Sequence, residues 1–254
     1  MLIFAFKFCM KSKVQIIYKD CVSSTNDEVK LLSSNLKAYD YQVVYANEQL
    51  AGRGQRENVW YSSPGENLTF SILCEPDYLE IGHQFYLSKA VSIGILNYLR
   101  SKIEDVKIKW PNDIYCGSKK ICGILIENAI SMNSIKHSVI GIGLNMNQSV
   151  FPEYLEGATS LALLSNTRYN LKTELAVLLD SIFLCLEYLK TNDFAKIDVL
   201  YHQYLFKLYT YSSFKDSQGI FSGKIIGTLT NGHLVIEDEK GKTRMYGYKE
   251  VEFL

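Results

Sequence analysis

Apolar and polar positions alternate along much of the first half of the chain, and a 3.6-residue spacing replaces that alternation in a few longer stretches. VQIIY at 14–18 predicts a first β-strand. Ser-Ser-Thr-Asn-Asp-Glu at 23–28 predicts the start of a helix, because a hydroxyl cap followed three residues later by an acid satisfies free amide groups. QVVYAN at 42–47 reads as a second strand, 48–66 as a loop and 67–74 as a third strand. Between 83 and 101, Phe85, Leu87, Val91, Ile95 and Leu99 fall on one broad side of a long helix. Strands are predicted at 106–109, 113–116 and 120–130, the last two joined by a hairpin at Gly117-Ser118, and another at 135–146. Helices then dominate from 160 to 209, chiefly at 171–190.

After Tyr211 the pattern changes to short strands at 220–229, 233–238, 243–247 and 250–253. Asn231-Gly232 predicts a two-residue hairpin in which both residues take positive φ. A meander of about 45 residues cannot enclose a large core, so it should form a small barrel packed on the main domain. The fold class expected is α+β, a mixed β-sheet with flanking helices, with residues 1–206 as one domain and 207–254 as a second.

Composition narrows the picture. A chain of 254 residues that is 47% hydrophobic can bury one sizeable core plus a small one. Lys plus Arg and Asp plus Glu number 27 each, so no global field favours nucleic acid or an acidic membrane, and neither is expected as a partner. The cysteines at 9, 21, 74, 116, 122 and 185 form no C-x-x-C pair, and the histidines at 83, 137, 202 and 233 are scattered. Neither a disulfide framework nor a protein-built metal site is expected, and reduced thiols suit the cytoplasm. The apolar start is interrupted by Lys7 and lacks a basic lead and a small-residue cleavage site, so Met10 is the more plausible initiator than a signal peptide is. No run approaches the roughly 20 apolar residues of a membrane span.

Four segments carry candidate chemistry. In GRGQRENVW (52–60), Gly52 and Gly54 let the backbone approach a ligand, and Arg53 and Arg56 can hold phosphate or carboxylate oxygens. In KWPNDI (109–114), Pro111 forces an extended turn that leaves Asn112 and Asp113 at a strand end. In KKICGILIE (119–127), Gly123 interrupts an apolar strand that Lys120 begins, so both can address one ligand. In GIGLNMN (141–147), Asn145 and Asn147 offer donors and acceptors suited to a base or ribose. Each segment alone is as readily a solvated turn or an ordinary strand end.

Taken in order, Ser24-Thr25-Asn26, Gln49, GRGQRENVW, KWPNDI, KICGIL and GIGLNMN resemble the biotin–protein ligases (biotin–[acetyl-CoA-carboxylase] ligases). The resemblance runs from about residue 14 to the C-terminus and implies a class II synthetase-like mixed sheet with a small SH3-like C-terminal barrel. With only 13 residues before the first strand, it implies the enzyme-only class, without an N-terminal DNA-binding domain. The activity implied is conversion of biotin and ATP to biotinyl-5'-AMP, then transfer of biotin to a lysine of a biotin carboxyl carrier protein. Ser24, Thr25, Asn26 and Gln49 would bond the ureido ring, with Gly54, Gln55 and Gly123 lining the biotin site. Arg53 and Lys120 would be the catalytic cations, holding carboxylate and α-phosphate oxygens. Arg56, Trp60, Asn112, Asp113 and Asn145 would serve ATP, with Asp113 an indirect partner of Mg²⁺. Relatives often pair as homodimers, which is the expectation here.

Two departures stand out. The family loop commonly reads G-R-G-R-x-G-x-x-W, whereas this chain has Gln55 at the second arginine and Glu57 at the next glycine. Gln55 lacks the charge that helps retain the reactive intermediate, and Arg56 projects differently. A lipoate or octanoate transferase would share the fold, but KWPNDI with the loop motif favours biotin. A non-catalytic biotin-binding or regulatory protein would have lost Arg53, Lys120 or Asn145, all of which are present.

Overall fold

The computed structural model describes residues 12–33, 38–55, 58–131 and 134–254. Strand β1 (Val14–Val22) leads into helix α1 (Thr25–Lys30), which crosses to β2 (Tyr41–Gln49), so that β1 and β2 pair in parallel. β3 (Leu68–Cys74) turns back antiparallel to β2, and a 3₁₀ turn at Ile81–His83 opens α2 (Phe85–Arg100). Strands β4 (Val106–Lys109), β5 (Asp113–Cys116), β6 (Lys119–Ser131) and β7 (Ser134–Leu144) follow as successive antiparallel hairpins. β7 then inserts beside β3, giving a seven-stranded mixed sheet ordered β1-β2-β3-β7-β6-β5-β4.

One face of the sheet is covered by α2 and α4 (Leu171–Lys190), with α3 (Leu161–Ser165) and α5 (Phe194–Gln203) at its margins. Leu87, Val91, Ile95 and Leu99 of α2 are buried, as their spacing predicts. Gly94 allows the two long helices to cross closely, since a Cβ there would lie 2.6 Å from Ile182 Cα. Lys89 is fully buried yet satisfied: Asp198 of α5 accepts its ammonium at 2.6 Å, and the Tyr86 hydroxyl donates to the same carboxylate at 2.7 Å. Such a pair is costly to break from one side, because the survivor is a desolvated charge.

The C-terminal sheet is five-stranded and antiparallel, ordered β11-β10-β9-β8-β12, from β8 (Tyr211–Asp216), β9 (Gly219–Thr228), β10 (Leu234–Asp238), β11 (Thr243–Tyr246) and β12 (Glu252–Phe253). It forms the small β unit that the resemblance implies. Trp110 Nε1 donates to the Gly232 carbonyl at 2.8 Å, and the Thr228 amide donates to His202 Nε2 at 3.1 Å, fastening it to the larger sheet. None of the described helices is long and apolar enough to cross a membrane.

Three local expectations fail. Ser24 is the N-cap of α1 by position, but its side chain makes no capping bond, and its carbonyl instead accepts from the Asp27 and Glu28 amides. The 229–233 connection is longer than a two-residue hairpin: Leu229 pairs with His233, and only Gly232 takes positive φ (91°), as in three-residue loops. Strand β8 was not anticipated, because only Phe214 in YSSFKD is buried and the segment has too few apolar positions to show alternation.

Candidate active site

The sheet's strand order brings the four sequence segments together. α1 begins where β1 ends and places Ser24, Thr25 and Asn26, all nearly buried, beside the end of β2 that carries Gln49. Gln49 Oε1 accepts from the Thr25 amide at 2.8 Å and from its hydroxyl at 3.1 Å, which leaves the Gln49 amide nitrogen as a donor. Ser71 of β3 lies 2.7 Å from Thr25 Oγ1 and 2.5 Å from Asn26 Oδ1, and Asn26 Nδ2 donates to Glu127 at 2.6 Å. This end of the site is rich in directed hydrogen-bonding groups, with the Glu127 carboxylate behind Asn26.

The floor is made of glycines. Gly123 of β6 pairs with Gly143 of β7, and Gly141 lies two residues back on the same face. The Trp60 indole packs on this floor: a Cβ on Gly143 would lie 2.5 Å from Cζ2 and Nε1 of the ring, and one on Gly123 would lie 3.0 Å from Cζ3. Side chains are missing here because another group needs the space. The indole is carried by a short turn in which Gly54 N donates to Asn58 O at 2.7 Å and Trp60 N to Gly52 O at 2.9 Å. Trp60 Nε1 and Gln55 Oε1 are buried without a hydrogen-bond partner, as groups awaiting a ligand would be.

At the opposite end, Lys120 pairs with Asp113, 2.6 Å apart, where β5 and β6 meet. An ammonium has three donors, so one such contact leaves capacity for an anion. Asn112 donates to the Ile124 carbonyl at 2.7 Å, fixing the Pro111 turn. Burial pushes the Cys122 thiol well above its ordinary range, so this neighbour of Lys120 supplies no thiolate nucleophile.

Ser24, Gln49, Arg53 and Lys120 all line one cavity of about 120 Å³, together with Thr25, Asn26, Gly54, Gln55, Trp60, Asn112, Asp113 and Gly123. Two expected site residues stand differently from the expectation. Asn145 is buried off the cavity lining, its Nδ2 donating to Thr159 O at 2.9 Å. Arg53 borders the cavity, but both of its terminal nitrogens are held by Asp27, at 2.9 and 2.7 Å. That contact lowers the Asp27 pKa and raises that of Arg53. Arg56 lies outside the described residues.

Sequence reasoning did not single out Thr69, Ser71 or Tyr248, and it gave Gly141 and Gly143 only a role in tight packing. The two glycines sat in a quoted motif and could have been read as floor by their spacing of two. Tyr248 comes from the C-terminal sheet and had no local signal. A second groove of about 500 Å³ adjoins the cavity and shares Gln55, Asn112, Ile124, Leu125 and Tyr248 with it; among the described residues no Asp, Glu, Lys or Arg lines it.

Residues 18–145 match the model of the Biotin/lipoate A/B protein ligase family. The chain is 33% identical over 252 residues to the bifunctional ligase/repressor BirA of Bacillus spizizenii, covering 94% of this chain and 75% of that protein. It is 30% identical over 125 residues to the biotin–[acetyl-CoA-carboxylase] ligase of Paracoccus denitrificans, covering 48% of this chain and 51% of the other. Its structure resembles that of the Aquifex aeolicus biotin protein ligase in complex with biotin and ATP, with a TM-score of 0.77, 26% identity, and coverage of 94% and 98%. With half the chain inside the family model and a relative matched along nearly all of it, the chain belongs to the biotin/lipoate A/B protein ligase family.

Proposed function

We propose that this protein is a biotin ligase: it activates biotin with ATP to biotinyl-5'-AMP, releasing pyrophosphate, and passes the biotinyl group to a carrier-protein lysine, releasing AMP. The observation that carries the reading is one cavity that brings the hydrogen-bonding side chains of Ser24, Thr25, Asn26 and Gln49 together with the Lys120 ammonium, closed by an indole on a glycine floor. Ser24, Thr25, Asn26 and Gln49 suit a neutral polar ring such as a ureido group, and Gly54, Gln55 and Gly123 border the same space. Lys120 suits the carboxylate and the phosphate it attacks.

A carboxylate does not acylate an amine at neutral pH, because oxide is a poor leaving group. In the first step a biotin carboxylate oxygen bonds to the ATP α-phosphorus while the bond to pyrophosphate breaks. Negative charge gathers on the phosphoryl oxygens, and a preorganised ammonium at Lys120 stabilises it more than water does. In the second step the lysine amine bonds to the acyl carbon, AMP leaves with the bonding electrons, and the amine gives up a proton. The adenylate hydrolyses if water reaches it, so Trp60 and its turn also protect the intermediate. No histidine lines the cavity among the described residues, which leaves positioning rather than a covalent acyl-enzyme to carry the chemistry.

Mg²⁺ fits the donor set in one way. Among the described residues no group of three His, Cys, Asp or Glu side chains could cage a metal. Asp113 alone lies at the cationic end, which suits an ion held chiefly by substrate phosphates and water with one carboxylate near it. The ion would supply charge neutralisation at the phosphates. Asn112 borders the same cavity and suits the nucleotide in this reading, and Asn145, whose Nδ2 donates to Thr159 O, keeps a buried Oδ1 without a partner as an acceptor. In this reading residues 1–206 form the catalytic domain, and 207–254 lend Tyr248 to the wall between cavity and groove. The uncharged groove is a route for the aliphatic chain of the acceptor lysine.

Incubation with labelled biotin, ATP, Mg²⁺ and a biotin carboxyl carrier domain should label the acceptor lysine, with an equal amount of lipoate giving none. Label transfer from lipoate and none from biotin would overturn the reading.

A further inference from the structure

We propose that Glu127 is a positioning residue that sets the hydrogen-bond direction at the ring end of the cavity: through Asn26 and Ser71 it makes the Thr25 hydroxyl oxygen an acceptor for a ligand N–H. The identity of the ligand rests on the biotin reading above; the direction of the relay does not.

Glu127 stands on β6 two positions beyond Leu125, which lines the cavity, and is itself outside the lining. Its two oxygens are divided: Oε1 accepts from Lys30 at 3.0 Å and Oε2 from the Asn26 side-chain amide at 2.6 Å. A carboxylate has no proton to give, so the Asn26 nitrogen must face it and the Asn26 carbonyl must turn the other way, to Ser71. Gly141 leaves room for that carbonyl, since a Cβ there would collide with Asn26 Oδ1. Thr25, Asn26 and Ser71 are all buried, so their orientation is set inside the protein rather than by bulk water.

Counting protons then fixes Thr25. Ser71 Oγ lies 2.5 Å from Asn26 Oδ1 and 2.7 Å from Thr25 Oγ1, but a hydroxyl carries one proton. Asn26 Oδ1 can only accept, so the Ser71 proton goes there and Ser71 Oγ accepts from Thr25. The Thr25 proton is shared between Ser71 Oγ and, at the longer 3.1 Å, Gln49 Oε1. Both acceptors belong to the protein, so Thr25 Oγ1 has lone pairs left for the cavity. Gln49, whose Oε1 faces the Thr25 amide and hydroxyl, has its Nε2 donors left. Side by side, the two residues offer one acceptor and one donor, the complement of an N–H next to a C=O in a ureido ring. An acyl chain without such a pair, as in octanoate, gains nothing from them.

The test compares wild type with Glu127→Gln, Ser71→Ala, the double variant and Lys30→Met. Glu127→Gln keeps the shape, but the new amide presents either a nitrogen or an oxygen, so Asn26 is satisfied in both orientations and the direction is lost. Three quantities are read: biotin affinity by titration calorimetry without ATP, the KM for ATP, and turnover at saturating biotin. Glu127→Gln and Ser71→Ala should each weaken biotin by about ten-fold, with the other two quantities unchanged. The double variant should bind no more weakly than the weaker single, because both break one relay. Lys30→Met should leave biotin affinity nearly intact, since Asn26 keeps its carboxylate. Equal weakening in Lys30→Met and Glu127→Gln would make Glu127 an ion-pair brace and overturn the relay. So would additive losses in the double variant, or a parallel fall in ATP affinity and turnover. Should wild type not bind biotin, the substrate reading fails, while the Gln49 side-chain amide signal in the NMR spectrum of the ligand-free protein still decides the relay. Glu127→Gln should displace that signal although the two residues do not touch, and Lys30→Met should not; an unmoved signal in Glu127→Gln overturns the relay.

Discussion

Replacing Gly143 with alanine places one methyl group where the Trp60 indole rests. The new Cβ would lie 2.5 Å from both Cζ2 and Nε1 of the ring, well inside contact distance, so the indole must move. The strand cannot yield easily, since β7 is paired on both sides, to β3 and to β6. The lid can, because Trp60 rides on a short turn at the edge of the cavity. Overpacking of this kind costs about 1–3 kcal/mol, and here it falls on the closed lid alone. The closed state should lose about five- to 150-fold in population relative to the open one, by the 1.4 kcal/mol per factor of ten that governs equilibria. Adenylate preformed on the enzyme should escape into a chase of unlabelled biotin faster by a similar factor, and residues 50–60 should exchange amide hydrogens faster without ligand. The midpoint of thermal unfolding should move little, because the open lid relieves the clash. Adenylate release at the wild-type rate in Gly143→Ala would refute the assignment of the glycines as the seat of the lid.

Lys120→Met should slow the adenylation step by about 10²–10³-fold, the usual effect of removing one preorganised donor at developing charge, with biotin binding weakened far less; rapid-quench measurement of pyrophosphate release reads this directly. Gln55→Arg should slow adenylate release, since it adds a cation beside the cavity that Gln55 lines; equal release rates in the two proteins would count against that role. Stability should fall as pH drops below about 6.5, in part through His202. Its Nε2 accepts the Thr228 amide, which requires the neutral ring, and burial holds its pKa below the ordinary 6.5. The folded state therefore binds the proton later than the unfolded state does, and the stability lost begins at the unfolded pKa as pH falls. His202→Gln should flatten that part of a denaturation-versus-pH curve.

Much of the site was legible because its parts are local motifs whose chemistry does not depend on distant partners. Lys120 and Gly123 lie on one strand, and Asn112 and Asp113 follow a proline turn. What the sequence hid was long-range. β7 inserts between β3 and β6 rather than at an edge, and only that order puts Gly143 beneath Trp60 and Gly141 against Asn26. Arg53 reads in isolation as a free anion donor, whereas its partner Asp27 lies 26 residues earlier on α1. The Asn145 side chain, placed by its motif at a nucleotide, turns to a backbone carbonyl reached only after the chain returns at Thr159. Tyr248 reaches the cavity because the C-terminal sheet docks there through Trp110 and Gly232, a contact 122 residues apart in sequence.

Biotin-dependent exchange of labelled pyrophosphate into ATP tests the central claim most directly, since it reads formation of the acyl-adenylate without any acceptor protein. The enzyme should catalyse exchange when biotin and Mg²⁺ are present, lose it when biotin is omitted, and lose nearly all of it in Lys120→Met. Exchange that proceeds equally well without biotin, or with octanoate or lipoate in its place, would contradict the account.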